Sequence, residues 1–362
     1  MSSSHPSRLL HPDDLPLGSF TPKSQVRNDL HHVPRSAVPS VDAHNHLGRW
    51  LHPEGDWMAP DVGWLLEMMD RCNLRAVVNL DGMWDQTLEE NLDRYDRAHP
   101  GRFATFCQLD WSLLGRHDPG RAVRLLLRQL DAAADAGARG VKVWKELGLR
   151  WRDQTGALVL PDDPRIADVF TRAAELRLPI LIHTADPVAF FEPVDASNER
   201  IGDLAGNPEW WFGAPGFPTF ERLMAALETL VAAHPETTFI GAHVGCFAED
   251  LRWVSRMLTA HPNFHVDLGG RMPELGRQPR AARRLILDHP RQVVFGTDQF
   301  PIEEEGYHTW FRFLETDDEA FPYAPGCEIP PMGRWDVSAL DLPAEALPAL
   351  YADNILRLVD VG

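Results

Sequence analysis

Residues 41–46 read V-D-A-H-N-H, the pattern of a β-strand that carries polar side chains on one face. Asp42, His44 and His46 alternate, so the period of two of a strand places all three on the same side. Two imidazoles on a buried face need a polar partner, because unsatisfied buried polar groups are costly. A metal ion supplies such a partner, and ordinary core histidines are the alternative. The stretch predicts a strand that ends in a pair of ligand histidines.

From residue 40 onward, short β-branched runs alternate with amphipathic stretches of helical period. We predict strands at 40–46, 75–80, 103–109, 140–144, 179–183, 238–243, 264–267 and 292–297. We predict helices at 61–72, 88–98, 121–136, 165–175, 220–233, 248–259, 281–288 and 344–359. This alternation is typical of an α/β fold, a (β/α)8 TIM barrel. A doubly wound sheet is the alternative, but no G-x-G-x-x-G or phosphate-binding loop follows the first strand.

The chain divides into two parts of different composition. Residues 1–39 are rich in Pro, Ser, His and Arg without an apolar period, which predicts an extended arm. Residues 40–362 form one barrel domain in this interpretation. Two connections, 184–219 after strand five and 299–343 after strand eight, are longer than ordinary βα loops. Both follow strand ends where barrel enzymes build their sites, so we expect them to be substrate loops.

The charge and cysteine content restrict the classes of partner. The chain has 35 Lys and Arg against 53 Asp and Glu, a formal net charge of −18, which disfavours nucleic acid and anionic membranes as partners. The four cysteines form no C-x-x-C pair, so neither a disulfide framework nor a structural zinc module is expected. We expect a cytoplasmic protein with a small-molecule substrate.

Three further predicted strands end in residues of metal-ligand type. Leu181 precedes His183 by two positions, Gly241 precedes His243, and Gly296 precedes Asp298. Each ligand residue then lies at the inward-facing carboxyl end of its strand, like the first histidine pair. Imidazole and carboxylate together suit one divalent ion, with Zn²⁺ as the default and Mn²⁺, Fe²⁺ or Co²⁺ as alternatives.

These motifs resemble the amidohydrolase superfamily of metal-dependent barrel enzymes. The chain is most similar to the amidohydrolase-related branch, which includes aminocarboxymuconate semialdehyde decarboxylase and the resorcylate-type decarboxylases. The resemblance rests on H-x-H after strand one, His after strands five and six, G-T-D after strand eight and the closing N-x-x-R-L. The closing motif has Ile355 where the family usually has Ala. The resemblance implies one metal ion bound by His44, His46, His183 and Asp298, with Asp298 and His243 as catalytic groups.

Other polar and aromatic residues near the predicted strand ends are candidates for substrate binding. Lys142 lies on strand four of a chain with only three lysines. Three roles are open for it: substrate binding, a carboxylated bridge between two metals, or a structural role. Asp267 and Arg271 follow strand seven at the same barrel end and are also candidates for substrate contact. The remaining candidates, in or beside the βα loops, are Arg49, Trp50, Glu146, Asn198, Arg200 and Trp211.

Together these features predict a metal-dependent hydrolase that acts on a small carboxylated or amide-bearing molecule through a metal-activated water. The alternative is a metal-dependent, non-oxidative decarboxylase of an aromatic or unsaturated acid, which would use the same site. A third hypothesis is a metal-stabilised binding protein without turnover. The arm and the habit of the family suggest a homodimer.

Overall fold

Eight short parallel strands lie in the described part of the chain, as the sequence predicts. The computed structural model describes residues 11–28 and 30–362. The strands are β1 Ser40–Asn45, β2 Leu74–Asn79, β3 Phe103–Thr105, β4 Val141–Val143, β5 Ile180–Ile182, β6 Phe239–Gly241, β7 Phe264–Asp267 and β8 Val293–Val294. Most are shorter than predicted, because their last residues turn into the loops that build the site.

The strands close into a barrel. Strands β1 to β3 pair in chain order, as do strands β4 to β8. A parallel bridge between Cys107 and Val141 joins the two groups on one side. On the other side, Ala43 N donates to Phe295 O at 2.9 Å, which connects β1 to the end of β8. The predicted (β/α)8 barrel is therefore confirmed.

A helix follows each strand. The main helices are α1 Val62–Cys72, α2 Asp85–Leu92, α3 Pro119–Ala136, α4 Ala167–Glu175, α5 Phe220–Ala233, α6 Leu251–Ala260, α7 Pro279–Asp288, α8 Glu304–Glu315 and α9 Asn354–Leu358. Shorter helical turns lie at Leu113–Arg116, Glu146–Leu149, Ile201–Gly206, Ala242–Gly245 and Met272–Leu275. The cap of α3 shows how the sequence sets these boundaries: the Asp118 side chain accepts from Arg121 N, and Gly137 ends the helix at a φ of 108°. No helix in the described ranges is long and apolar enough to cross a membrane.

The barrel wall separates two apolar clusters. The inner cluster takes alternate side chains from the strands, including Val41, Ala43, Leu181, Ile240 and Val294, and is continued by residues of the chain end that follow α9. The outer cluster lies between the strands and the helices. A strand residue that belongs to the inner cluster therefore faces the barrel interior, and one that belongs to the outer cluster faces the helices.

The segment 299–343 is not the continuous loop that the sequence analysis predicted, because α8 forms within it. Tyr307, Trp310, Phe311 and Leu314 are buried, and their spacing is that of one helical face. This period was present in the sequence and was missed. The helix predicted at 344–359 is confirmed as one continuous helical segment over residues 344–358, which begins with the 3-10 turn Ala344–Ala346, passes through the π-helical stretch Ala349–Asp353 and ends in α9.

Within the predicted arm of residues 1–39, residues 1–10 and 29 lie outside the described part of the chain. The described residues of the arm contain two single helical turns, Pro12–Asp14 and Leu17–Ser19. They contact the segment after β8 of the same chain: Arg334 Nη1 donates to Phe20 O at 2.7 Å, and Asn28 Nδ2 donates to Glu319 O at 2.6 Å.

One buried carboxylate connects the segments that close the barrel. Asp42 is fully buried and accepts from the backbone N–H groups of His44 and Thr297 at 3.0 and 2.9 Å. It also accepts from the side chains of Asn45, Thr297 and Tyr307 at 2.9, 2.6 and 2.7 Å. These donors belong to β1, to the residues after β8 and to α8, so Asp42 joins all three.

We predict that Asp42→Ala lowers the free energy of unfolding by about 4 kcal/mol, because it leaves several buried donors without an acceptor. Tyr307→Phe removes one of the five bonds and should cost roughly 1 kcal/mol. Urea unfolding followed by circular dichroism measures both changes, with Asp135→Ala on the exposed face of α3 as the control. Equal stability of Asp42→Ala and Asp135→Ala would contradict the assignment.

Candidate metal centre

The two histidines of β1 reach the site through an irregularity in the strand. The register with β2 shifts between Asp42 and Asn45, while Val41 and Ala43 face the inner cluster. Asp42 contacts Tyr307 on α8, so the prediction that it shares a face with the histidines is wrong. After the shift, His44 and His46 are both buried at 1% exposure.

Each of these histidines donates one ring N–H to a buried carboxylate. His44 Nδ1 lies 2.9 Å from Asp267 Oδ2, and His46 Nδ1 lies 2.7 Å from Asp81 Oδ1. A carboxylate accepts this hydrogen, so in the neutral ring, the form that binds a metal, Nε2 is the nitrogen with the lone pair. The two Nε2 atoms lie 3.4 and 3.2 Å from Asp298 Oδ1. These three ligand atoms lie within 4.8 Å of one another and could hold a metal ion.

His183 is the fourth expected ligand, and it lies at the end of β5. The predicted alternation holds on this strand, because Leu181 faces the inner cluster. His183 Nε2 lies 3.2 Å from Asp186 Oδ1, and Asp186 Oδ2 accepts from Lys145 Nζ at 2.5 Å. The Nδ1 atom of His183 is buried without a hydrogen-bond partner among the described residues. A buried, unpaired ring nitrogen beside the other histidines fits a metal ligand.

His243 reaches the same cluster by a different route from the one predicted. Ile240, not Phe239 or Gly241, faces the barrel interior, and β6 ends before His243. A left-handed turn begins at His243, whose φ is 58°, and directs the ring to within 4.4 Å of the His183 ring, measured between centroids. Its Nδ1 donates to Gly269 O at 2.8 Å. Burial lowers the pKa of His243, so its ring is neutral and Nε2 carries the lone pair.

Asp298 also follows its strand in a left-handed conformation, with a φ of 58°. Its backbone N–H donates to His44 O at 2.7 Å. Although burial opposes ionisation, His44 and His46 hold the pKa of Asp298 below its usual value. Its second oxygen, Oδ2, lies 3.7 Å from His243 Nδ1. The neighbouring backbone must come very close, since a Cβ atom on Gly270 would lie 3.1 Å from that oxygen.

Lys142 lies beside the histidine pair, inside the barrel. Its Nζ is 3.4 Å from His44 Nε2 and 4.7 Å from the centre of the Trp144 ring. None of the described carboxylates forms an ion pair with it, and burial lowers its pKa to about 8. Lys145 points elsewhere, to Asp186. Only one of the two lysines of this strand end therefore borders the candidate metal ligands.

The other residues that the sequence suggested for substrate binding have different surroundings. Trp50 lies near the centre: its indole packs 4.7 Å from Trp144 and donates to Asp81 at 2.8 Å. Arg49 instead stacks over Trp57 at 4.5 Å, with Glu90 at 3.8 Å. Glu146 begins the short turn Glu146–Leu149 that follows β4.

Three loop candidates hold the 184–219 segment in its fold, and one of them also ties it to the segment after β7. Asn198 donates to Ala189 O at 2.8 Å, and Trp211 donates to Glu192 O at 2.9 Å. Arg200 is 2% exposed and forms ion pairs with Asp203 and Glu274. None of these hydrogen bonds reaches the histidine cluster.

The sequence analysis missed two of the groups that orient the histidines. Asp81 was not singled out, although it lies two residues after Asn79, the last residue of β2. Asp267 was expected to contact substrate, but it accepts from His44 Nδ1 and also from the backbone N–H of His243 at 3.0 Å. A carboxylate at the carboxyl end of a barrel strand was the available signal for both.

Residues 41–361 match the family model described as amidohydrolase. The chain belongs to the amidohydrolase family. Members of this family are metal-dependent hydrolases or decarboxylases, so the prediction of a metal-dependent enzyme is confirmed and the hypothesis of a binding protein without turnover is set aside. Among curated protein sequences, none matches this amidohydrolase significantly.

Solved structures with the same fold include both kinds of enzyme. The 2,6-dihydroxybenzoate decarboxylase from Rhizobium has a TM-score of 0.54 and 16% identity, over 89% of this amidohydrolase and 98% of that chain. A dihydroxybenzoic acid decarboxylase from Polaromonas sp. JS666, with bound manganese and the inhibitor 2-nitroresorcinol, has a TM-score of 0.54 and 14% identity over 89% and 96% of the two chains. A probable 2-pyrone-4,6-dicarboxylic acid hydrolase from Acinetobacter baumannii has a TM-score of 0.50 and 10% identity over 89% and 99%. At these identities the likeness concerns the fold.

We predict that Asp267→Asn weakens the affinity for one zinc ion by about 10- to 100-fold, because it disturbs the acceptor that orients His44. Competition with a chromophoric chelator measures the affinity. The His44→Ala, His46→Ala double variant should bind one ion fewer per chain than the unaltered protein. Asp96→Asn is the matched control, since Asp96 accepts from Thr105 on β3 and not from a histidine. Unchanged affinity in Asp267→Asn would contradict the orienting role.

Proposed function

We propose that this amidohydrolase is a hydrolase of a small carboxylated molecule and that it uses one zinc ion bound by His44, His46, His183 and Asp298. The observation that carries the proposal is the convergence of two Nε2 atoms and one carboxylate oxygen at the barrel mouth. The donor set supports zinc because it combines imidazole nitrogen with carboxylate oxygen. Mn²⁺, Fe²⁺ and Co²⁺ are the other ions that this set suits.

The side chains of the site are already oriented to bind such an ion. Asp267 and Asp81 fix the tautomers of His44 and His46, so two lone pairs face the same point. His183 is not one of the three ligands grouped at the barrel mouth, and we propose it as the fourth because its buried Nδ1 has no hydrogen-bond partner among the described residues. A divalent metal bound here would lower the pKa of a coordinated water to about 7 and so supply a nucleophile at neutral pH.

Asp298 and His243 are the groups that we propose for proton transfer. Oδ1 of Asp298 faces the histidine pair, while Oδ2 faces His243, so the second oxygen is placed to accept the proton of the attacking water. His243 donates its Nδ1 hydrogen to Gly269 O, which leaves Nε2 as an acceptor. This tautomer suits a group that takes a proton from the substrate at Nε2 and returns it to the leaving group, while Asp298 Oδ2 faces the other ring nitrogen, Nδ1.

Two buried cations near the site support an acidic substrate. Lys142 has no ion pair with the described carboxylates, and neither has Arg271, which is 8% exposed. Arg271 Nη1 donates only to Gly270 O at 3.0 Å, and Gly270 borders Asp298. Burying a charge without a counterion is costly, so a substrate carboxylate is the group that these two cations lack. We therefore assign Lys142 to substrate binding rather than to a carboxylated bridge.

Decarboxylation is the second candidate, because aromatic side chains border the histidine pair. The rings of Trp144 and Phe300 lie 5.2 and 5.8 Å from the ring of His46, and Trp50 packs against Trp144. Such a wall suits a planar unsaturated or aromatic acid. In that reaction Asp298 or His243, after taking up a proton from the substrate or from solvent, would deliver the proton that replaces the carboxylate on carbon.

Isotope labelling separates the two reactions. The zinc-loaded enzyme is incubated with carboxylated lactones and amides, and with hydroxybenzoates, in H₂¹⁸O. We expect one ¹⁸O atom in the hydrolysis product, no release of carbon dioxide, and loss of turnover after chelation. Release of carbon dioxide without ¹⁸O in the remaining product would replace hydrolysis by decarboxylation. Full activity of the metal-free protein would contradict both proposals.

We predict that Arg271→Leu raises KM for the carboxylated substrate by about 10- to 100-fold with a smaller change in kcat, because it removes a charge-assisted hydrogen bond to the substrate. Arg271→Lys should restore part of the affinity. Steady-state kinetics measures both, with Arg280→Leu on the exposed face of α7 as the control. An unchanged KM in Arg271→Leu would exclude the residue from substrate binding.

Three further features of the protein stay predictions of the sequence. We propose that residues 1–39 are an arm attached to a barrel domain of residues 40–362, that the protein acts in the cytoplasm, and that it forms a homodimer. The scattered cysteines support a reducing compartment, since Cys72, Cys107, Cys246 and Cys327 are all unpaired. Small-angle scattering of the full chain measures the oligomeric state.

A further inference from the structure

A second cluster of metal-ligand residues lies where the end of α1 meets the start of α8. It consists of Cys72, Glu304 and His308, whose ligand atoms all lie within 4.8 Å of one another. Cys72 is the last residue of α1 and is fully buried. Glu304 and His308 are one helical turn apart on α8, so their side chains lie on the same face of that helix.

His308 is the member of the cluster whose ring nitrogens lack hydrogen-bond partners among the described residues. Both of its ring nitrogens are buried, and neither forms a hydrogen bond with a described residue. The nearest carboxylate oxygens are those of Glu305, 3.5 Å from Nδ1, and Glu304, 3.8 Å from Nε2. A neutral imidazole has one donor and one acceptor, so leaving both unpaired in a buried position costs free energy. A bound ion would satisfy one of them.

Glu304 is held in place from its other side. Arg71 Nε lies 3.1 Å from Oε1, and Arg71 Nη2 lies 2.8 Å from Oε2. Hydrogen bonds of this kind orient a carboxylate that ligates a metal, because each carboxylate oxygen has a further lone pair. The arginine therefore fixes the direction of Glu304 without using up its capacity as a ligand.

We propose that Cys72, Glu304 and His308 form a second metal site, of the zinc type, separate from the site at the barrel mouth. Thiolate sulfur, imidazole nitrogen and carboxylate oxygen are the three side-chain ligands that Zn²⁺ takes in proteins. His32 of the arm covers the site, with its ring edge-to-face on His308 at 5.2 Å between centroids. The ion would connect α1 and α8.

The position of the site gives the ion a structural role. His308 directly follows Tyr307, which donates to Asp42 at the closure of the barrel. An ion that ties α8 to α1 would hold Tyr307 in register with that carboxylate. The site contains no contact to the substrate candidates, so we expect it to affect stability and to leave turnover unchanged.

Cobalt binding tests the proposal, because a thiolate ligand gives Co²⁺ a charge-transfer band in the near ultraviolet that nitrogen and oxygen ligands do not give. The full chain is freed of metal with a chelator and titrated with Co²⁺ alone. We expect two ions per chain and the sulfur band. Excess Zn²⁺ should remove the band and raise Tm.

Single variants assign the band to this cluster. Cys72→Ser should lose the band and one cobalt ion per chain, and His308→Ala, which keeps the thiol, should lose the ion and the band as well. Cys327→Ser, which removes the exposed thiol, should keep both. The His44→Ala, His46→Ala double variant should also keep the band, so failure of the barrel-mouth site is distinguished from failure of this one.

Two results would overturn the proposal. One is the absence of a sulfur band in the unaltered, folded chain at millimolar Co²⁺. The other is a band that persists in Cys72→Ser, which would assign it to a different thiol. Either result would leave Arg71 and Glu304 as an ordinary ion pair beside a buried cysteine.

Discussion

The carboxylate of Asp42 is the interaction on which the barrel and its site both depend. It accepts from the backbone of β1, from Thr297 after β8 and from Tyr307 on α8, so one buried group joins the first strand, the last strand and the helix behind them. The same junction positions the chemistry, because Asp298, one residue after Thr297, donates its N–H to the carbonyl of His44, two residues after Asp42. The contacts that close the barrel therefore also place Asp298 beside the β1 histidines.

A set of buried carboxylates orients the site above this junction. Asp267 holds both the His44 ring and the backbone of His243, Asp81 holds His46, and Asp186 contacts His183. These contacts decide which ring nitrogens keep a lone pair. The carboxylates also give the pocket a negative charge before any ion binds, and a divalent cation would neutralise it. Two cations without carboxylate partners, Lys142 and Arg271, remain beside it, and they provide the attraction for an acidic substrate in a protein whose overall charge is −18.

The sequence predicted the ligand residues more reliably than the way in which they reach the site. Alternation along a strand is correct for Leu181 and His183 on β5. It fails on β1, where a register shift separates Asp42 from His44, and on β6, where His243 leaves the strand through a left-handed turn. Register shifts and left-handed turns depend on hydrogen bonds to distant segments, and a local period of two cannot reveal them. The helix α8 was missed for another reason: its apolar period was visible, but it lay in a segment interpreted as a loop.

The sequence by itself determined the number of strand and helix units, the barrel and the types of metal ligand at the strand ends, because apolar periods and residue chemistry are local properties. Only the tertiary structure decided which carboxylate orients which histidine, that Lys142 rather than Lys145 borders the centre, and that Arg200, Asn198 and Trp211 hold a loop together. The same is true of Cys72 and His308, which are 236 positions apart and meet only when α1 packs against α8. Such pairs are set by the packing of whole elements, and no pattern within one segment encodes the distance between two side chains on different segments.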